Sequence, residues 1–223
     1  MKLVSIQMAM FANNLIPRPD LLMNKINTKM NNVFDAIPNI INLPMNAPPE
    51  IPVAQVTSTN NVYALNISRS RVDLTISPFY YRQETPLQLF EEYKSNIESY
   101  YNTILEEITL NRVGMVVTLF HEEDSNIKAI FDKYLIEPYT NDCVEINYRI
   151  NRQTLEKGVV YNNIRLIQAG EIQIDKKIAK GVMIQFDVNN VPDQKRVVSK
   201  DSILEILSKV QEVVKTGYLK ELI

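Results

Sequence analysis

Apolar and polar positions along this chain switch between a period of two and a period near 3.6 residues, and the switches mark out its elements. Val72, Leu74 and Ile76 alternate with Arg71, Asp73 and Thr75, which predicts a strand over Arg71 to Ser77 with one wet face. Pro52 to Ser58 and Val62 to Ser68 precede it across the polar turns Thr59-Asn60-Asn61 and Arg69-Ser70, so the three read as an antiparallel meander. Lys2 to Phe11 reads as an earlier strand. Between it and the meander, Leu22, Met23, Ile26, Met30, Val33 and Phe34 recur at helical spacing behind Asp20, which is placed to cap the helix. Pro38 to Pro52 reads as an irregular connector, because each proline removes a backbone donor and restricts the residue before it.

The clearest helix start is Thr85-Pro86-Leu87-Gln88. A threonine cap, a proline whose missing N–H would have been unpaired anyway and a glutamine that can answer the cap make a capping box. An apolar stripe from Leu89 to Ile108 follows it. Arg112 to Phe120 is apolar on both faces, which predicts a strand in the middle of a sheet. A short helix over Ile127 to Leu135 comes next, then strands at Val144 to Asn151, Val159 to Gln168 and Val182 to Val188, with Ile172 and Ile174 extending a hairpin. Asp201 or Ser202, with Glu205, starts a final long helix.

This order is strand, helix, three strands, helix, and then the same again. It predicts an α+β fold of mainly antiparallel sheet with long helices packed on one face, built from two successive βαβββα units, 1–110 and 111–223, packed as one domain. Faint dipeptide echoes accompany the repetition: Met10-Phe11 beside Leu119-Phe120, and Val62-Tyr63 beside Val160-Tyr161.

Composition fits a folded globular protein: at 45% hydrophobic and 22% charged, the 223 residues can bury a sizeable core. The lone Cys143 excludes an internal disulfide and a multi-cysteine zinc site, and points to a reducing, cytoplasmic compartment. The N-terminal run is broken by Ser5 and Gln7 and reads as a strand, not a signal peptide. No window approaches the roughly 20 apolar residues of a membrane span. Net charge is −2, but its distribution is uneven: acidic residues dominate from Glu84 to Glu145 and basic ones from Arg149 to Lys200.

Chemistry is sparse. The glycines are too scattered to cradle phosphate, dinucleotide fingerprints are absent, and no cofactor is expected. His121, Glu122 and Asp124 form the one dense set of metal-ligand types, although neighbours on a strand point to opposite faces. Their simpler reading is the end of a buried strand with negative charge at the next helix start. Tyr80 and Tyr81 offer a stacking or contact surface, against the plainer role of wedging between meander and helix. The leading reading is a non-catalytic binding or assembly protein with a protein partner or self-association. Two alternatives stand beside it. One is a nucleic-acid-associated factor using Arg149, Arg152, Arg165, Lys176, Lys177 and Lys180, which requires those cations to share a face. The other is a metal-dependent hydrolase built on dispersed carboxylates.

Overall fold

The computed structural model describes residues 1–44, 46–78, 82–122, 147–174, 177–193 and 197–216. In chain order they form β1 (Lys2–Ala12), α1 (Pro19–Lys29), β2 (Asn39–Ile40), β3 (Ala54–Thr57), β4 (Tyr63–Ile67), β5 (Arg71–Ile76), α2 (Pro86–Glu107), β6 (Leu110–Glu122), β7 (Asn147–Glu156), β8 (Val159–Ile174), β9 (Lys177–Asn190) and α3 (Lys200–Thr216). The fold is α+β, as the order of elements predicts. All strands join one antiparallel sheet of nine, in the order β2-β3-β4-β5-β1-β6-β9-β8-β7.

Apart from the edge strand β2, that order is the same read outward in either direction from the β1–β6 seam. From β1 it runs to β5, β4 and β3; from β6 it runs to β9, β8 and β7. The seam is central because its two strands are the most apolar. Ile6, Met8 and Met10 of β1 and Val113, Met115, Val117 and Leu119 of β6 are at most 1% exposed under the helices. Strand alternation sends their neighbours to the opposite face, which no described helix covers.

The helices lie on the first face. α2 keeps the expected capping box, with Thr85 Oγ1 accepting from the Gln88 amide and Gln88 Oε1 accepting from the Thr85 amide. It buries Leu89, Phe90, Tyr93, Ile97, Tyr100, Tyr101 and Ile104 against the sheet. Tyr100, fully buried, donates from its hydroxyl to the Val72 carbonyl at 2.9 Å, and that hydroxyl lies 3.2 Å from the Met8 carbonyl. Burial raises its phenol well above the ordinary value. Lys25 of α1 reaches Glu107 of α2 at 2.6 Å, and Gln211 of α3 reaches Glu91 of α2 at 2.5 Å.

Several local expectations are corrected. Asp20 does not cap α1: its carboxylate is held by Arg18, at 2.6 and 2.9 Å, and Pro19 opens the helix. The helix stops before Val33 and Phe34 because Asn31 and Asn32 take left-handed backbone with φ of 57°, a conformation asparagine tolerates. The connector contains β2, which pairs with β3. α3 starts earlier than Asp201, behind Ser199, whose Oγ accepts from the Ser202 amide. β8 and β9 are longer than their apolar cores, since a polar residue on a wet face still pairs. The helix expected at 127–135 and the start of the strand expected at Val144 lie outside the described residues.

Candidate polar site on the open sheet face

Residues on the face opposite the helices fall into one line across the sheet. From one edge, Asn39 pairs with Gln55, Gln55 with Asn66, Asn66 with Asp73 and Asp73 with Ala9. Ala9 pairs with Gly114 across the seam. The line then continues through Asn189, Asn162 and Gln153. Outward from the seam it reads Ala, Asp, Asn, Gln in one half and Gly, Asn, Asn, Gln in the other.

The hydrogen bonds repeat as the residues do. Gln55 Nε2 donates to Asn66 Oδ1 at 2.9 Å, and Gln153 Nε2 donates to Asn162 Oδ1 at 3.0 Å. Gln7 Nε2 donates to Asp73 Oδ1 at 3.4 Å, and Arg112 Nη2 donates to Asn189 Oδ1 at 3.2 Å. Arg71 Nε donates to Asp73 Oδ1 at 2.8 Å, and Asn189 Nδ2 donates to Asp187 Oδ1 at 2.8 Å. Four of these bonds join groups that strand pairing has already brought near, and the two within a strand join residues two apart on one face, so little further ordering is required.

The halves differ in access. In the first, Gln7, Gln55, Asn66, Arg71 and Asp73 line a cleft of about 570 Å³, with Phe11, Ala12 and Asn111 at one side and Glu50 and Pro52 of the connector at the other. Burial pushes the Asp73 carboxyl up from its ordinary range, and the Arg71 guanidinium pulls it part of the way back. In the second half Asn189 is 1% exposed. It lies over Gly114, where a Cβ would come within 3.0 Å of the Asn189 Cβ. Asn162 Nδ2 donates to it at 3.0 Å, and neighbouring Asn190 accepts from the Val113 amide at 2.7 Å. Between the halves stands Phe11, with the Arg71 and Arg112 guanidinium carbons 4.9 and 5.1 Å from its ring centroid. These arginines arrive from β5 and β6, the strands on either side of β1, and so flank the ring. Arg112 Nε is buried without a hydrogen-bond partner.

Of the residues nominated from the sequence, the structure brings Arg152 and Arg165 to one cleft and spreads the other described ones apart. Arg149 is on β7 with its side chain on the open face by strand alternation, exposed and away from the cleft. Arg152 and Arg165 are on the helix side, lining a second cleft of about 340 Å³ beside Lys209, Glu212 and Val213 of α3. There Arg165 lies 5.4 Å from the Phe186 ring centroid, and Lys209 is paired with Glu156 and Glu205. Lys180 sits 3.5 Å from Glu171, on the part of the β8–β9 hairpin that runs past the end of β6. Lys177 opens β9, while Lys176, Tyr80, Tyr81 and Asp124 lie outside the described residues. His121 and Glu122 end β6 at successive positions. Among the described residues, no group of three or more histidine, cysteine, aspartate or glutamate side chains is placed to hold a metal ion. No described helix is long and apolar enough to cross a membrane.

Sequence reading did not single out Gln7, Gln55, Asn66 or Asp73 as a site. Each is an ordinary polar residue on the wet face of a strand, and the signal lies in register, which joins residues far apart in the chain. No family model matches this chain, and no curated protein matches it in sequence.

Proposed function

We propose that this chain is a non-catalytic binding protein whose docking surface is the open-face cleft over β3, β4, β5 and β1. The observation that carries the reading is the contrast within one polar line. At the centre of the second half Asn189 is buried, 1% exposed, while at the matching position of the first half Asp73 and its bonded neighbours border a cleft of ligand size, within the range of about 300–1,000 Å³. Side chains held by one another before a ligand arrives lose little freedom on binding, which favours recognition by hydrogen bonds. On the same reading, residues 1–110 and 111–223 are two βαβββα units joined along the β1–β6 seam, and the first has kept an accessible face. Among the described cations, Arg149 lies on the open face, Arg152 and Arg165 on the helix side and Lys180 on the hairpin, so these four do not form one nucleic-acid surface.

The test is a side-chain amide NMR titration of the full chain against a chemically mixed ligand library. The reading expects perturbed NH₂ signals confined to Gln7, Gln55 and Asn66. Perturbations that map instead to the cleft beside α3, or to the sheet edges, would sink it.

A further inference from the structure

We infer that the open-face cleft takes an uncharged, polyhydroxylated ligand, a saccharide; the inference rests on the binding reading above and narrows it. Charge comes first. Arg71 is the cleft's one cation and is paired with Asp73, Nη2 to Oδ1 at 2.5 Å, while Glu50 adds an anion on the opposite wall. A phosphate chain would meet no uncompensated cation there, and polyanion affinity depends on such cations. Stacking comes second. Phe11 is the aromatic residue of the cleft, and guanidinium groups flank it at 4.9 and 5.1 Å, so its ring offers an edge where a nucleobase needs a face. Backbone access comes third. β1, β3, β4 and β5 each have a paired neighbour on both sides, so the floor has no free strand edge on which a peptide could add.

What remains is a floor whose amides, those of Gln7, Gln55 and Asn66, both donate and accept. Each amide has two N–H donors and a carbonyl with two lone pairs. The bond from Gln55 to Asn66 and the bond from Gln7 to Asp73 each use one donor, and Gln55 Oε1 accepts from Asn39 at 3.4 Å, which leaves further donors and lone pairs on the amides that line the cleft. A hydroxyl group is also donor and acceptor, so vicinal hydroxyls match such a surface without any change of charge. Strand spacing of about 4.8 Å sets the interval between Gln55, Asn66 and Asp73, a step on the scale of one sugar ring. Pro52 and Ala12, with the edge of Phe11, provide apolar contacts for the C–H groups of a ring.

The experiment applies the full chain to an oligosaccharide array, a set of single-stranded DNA homopolymers and a peptide library, and follows any hit by calorimetry at low and high salt. Gln55→Ala and Asn66→Ala are compared with Gln153→Ala, which removes the matching, exposed amide of the other half, and melting curves establish that all three fold. The expected result is retention by an oligosaccharide with affinity insensitive to salt. Gln55→Ala or Asn66→Ala should weaken it about tenfold, equivalent to about 1.4 kcal/mol, and Gln153→Ala should leave it unchanged. No oligosaccharide bound, or one bound equally by Asn66→Ala, overturns the inference. DNA or peptide bound in a manner lost with Asn66→Ala overturns the saccharide and leaves the binding reading standing. Cleft variants that alter no ligand's binding overturn both.

Discussion

The two halves of the open face use the same residue types at matching positions and arrive at different surfaces. In the half built on β9, β8 and β7, Asn189 is buried and hydrogen-bonded to Arg112, Asn162 and Asp187. In the half built on β5, β4 and β3, Asp73 holds the matching position as a carboxylate paired to Arg71, and its surroundings open into the cleft. An amide can be buried by neutral neighbours at modest cost, whereas a carboxylate keeps a cation or water beside it. The difference teaches that one hydrogen-bonded row can end in a buried centre or border an open cleft, according to whether its central group is neutral or charged.

Removing one amide from each half, the buried Asn189 and the cleft-lining Asn66, should separate the roles most strongly. Asn189→Ala leaves the Arg112 and Asn162 donors without their shared acceptor in a closed setting, and should cost about 2–3 kcal/mol in denaturant unfolding. Asn66→Ala in the open half leaves partners that water can reach, and should cost no more than about 0.5 kcal/mol. Equal costs would mean that the cleft is not hydrated and that the contrast between the halves is false. The next effect belongs to Gly114. A methyl group there would press on the Asn189 Cβ at 3.0 Å, so Gly114→Ala should cost about 1–2 kcal/mol through overpacking. In the double variant with Asn189→Gly most of that cost should vanish, because the obstructing Cβ has gone.

The fold was legible in the sequence where one period dominated. Val72, Leu74 and Ile76 alternate cleanly, Thr85 and Gln88 announce α2, and the two-sided apolar run of β6 gives its central place. Legibility failed where a local polar choice decided the outcome: Arg18 drawing Asp20 away from the cap, the left-handed Asn31 and Asn32, and Ser199 capping α3 ahead of Asp201. The candidate site was hidden for a different reason. Gln55 and Asn66 become neighbours through a short hairpin, but Ala9 meets Asp73 and Gly114 only once the sheet is ordered about its seam. The dipeptide echoes do not mark that line, since Phe11 sits opposite Arg112 at one end of the seam and Phe120 opposite Lys2 at the other. The matching residues are Gln55 with Gln153 and Asn66 with Asn162, pairs that only the strand order selects.

A smaller effect should come from beneath the sheet. Tyr100 of α2 bonds the backbone of β5 under the open half, whereas Val214, at the same distance from the cap of α3, packs without a polar anchor. Tyr100→Phe should cost about 1 kcal/mol, and should raise amide exchange along β5 more than along β9. Uniform exchange across the seam would show that the anchor does not distinguish the halves.

The slightest effect, and the most informative, is a sign. Burial raises the Asp73 carboxyl above its ordinary range, so the folded chain holds that proton more tightly than the unfolded chain does. The stability this contributes is complete below the unfolded value of about 3.9 and is lost as pH rises through the raised folded value. Asp73→Asn places at 73 the amide that the closed half carries at 189, with no proton to lose. The melting temperature of the native sequence minus that of Asp73→Asn should therefore fall as pH rises from about 4. A difference that grew with pH would show the Arg71 pair outweighing burial. The open half would then be held by its charge, and its cleft would suit an ionic ligand better than a neutral one.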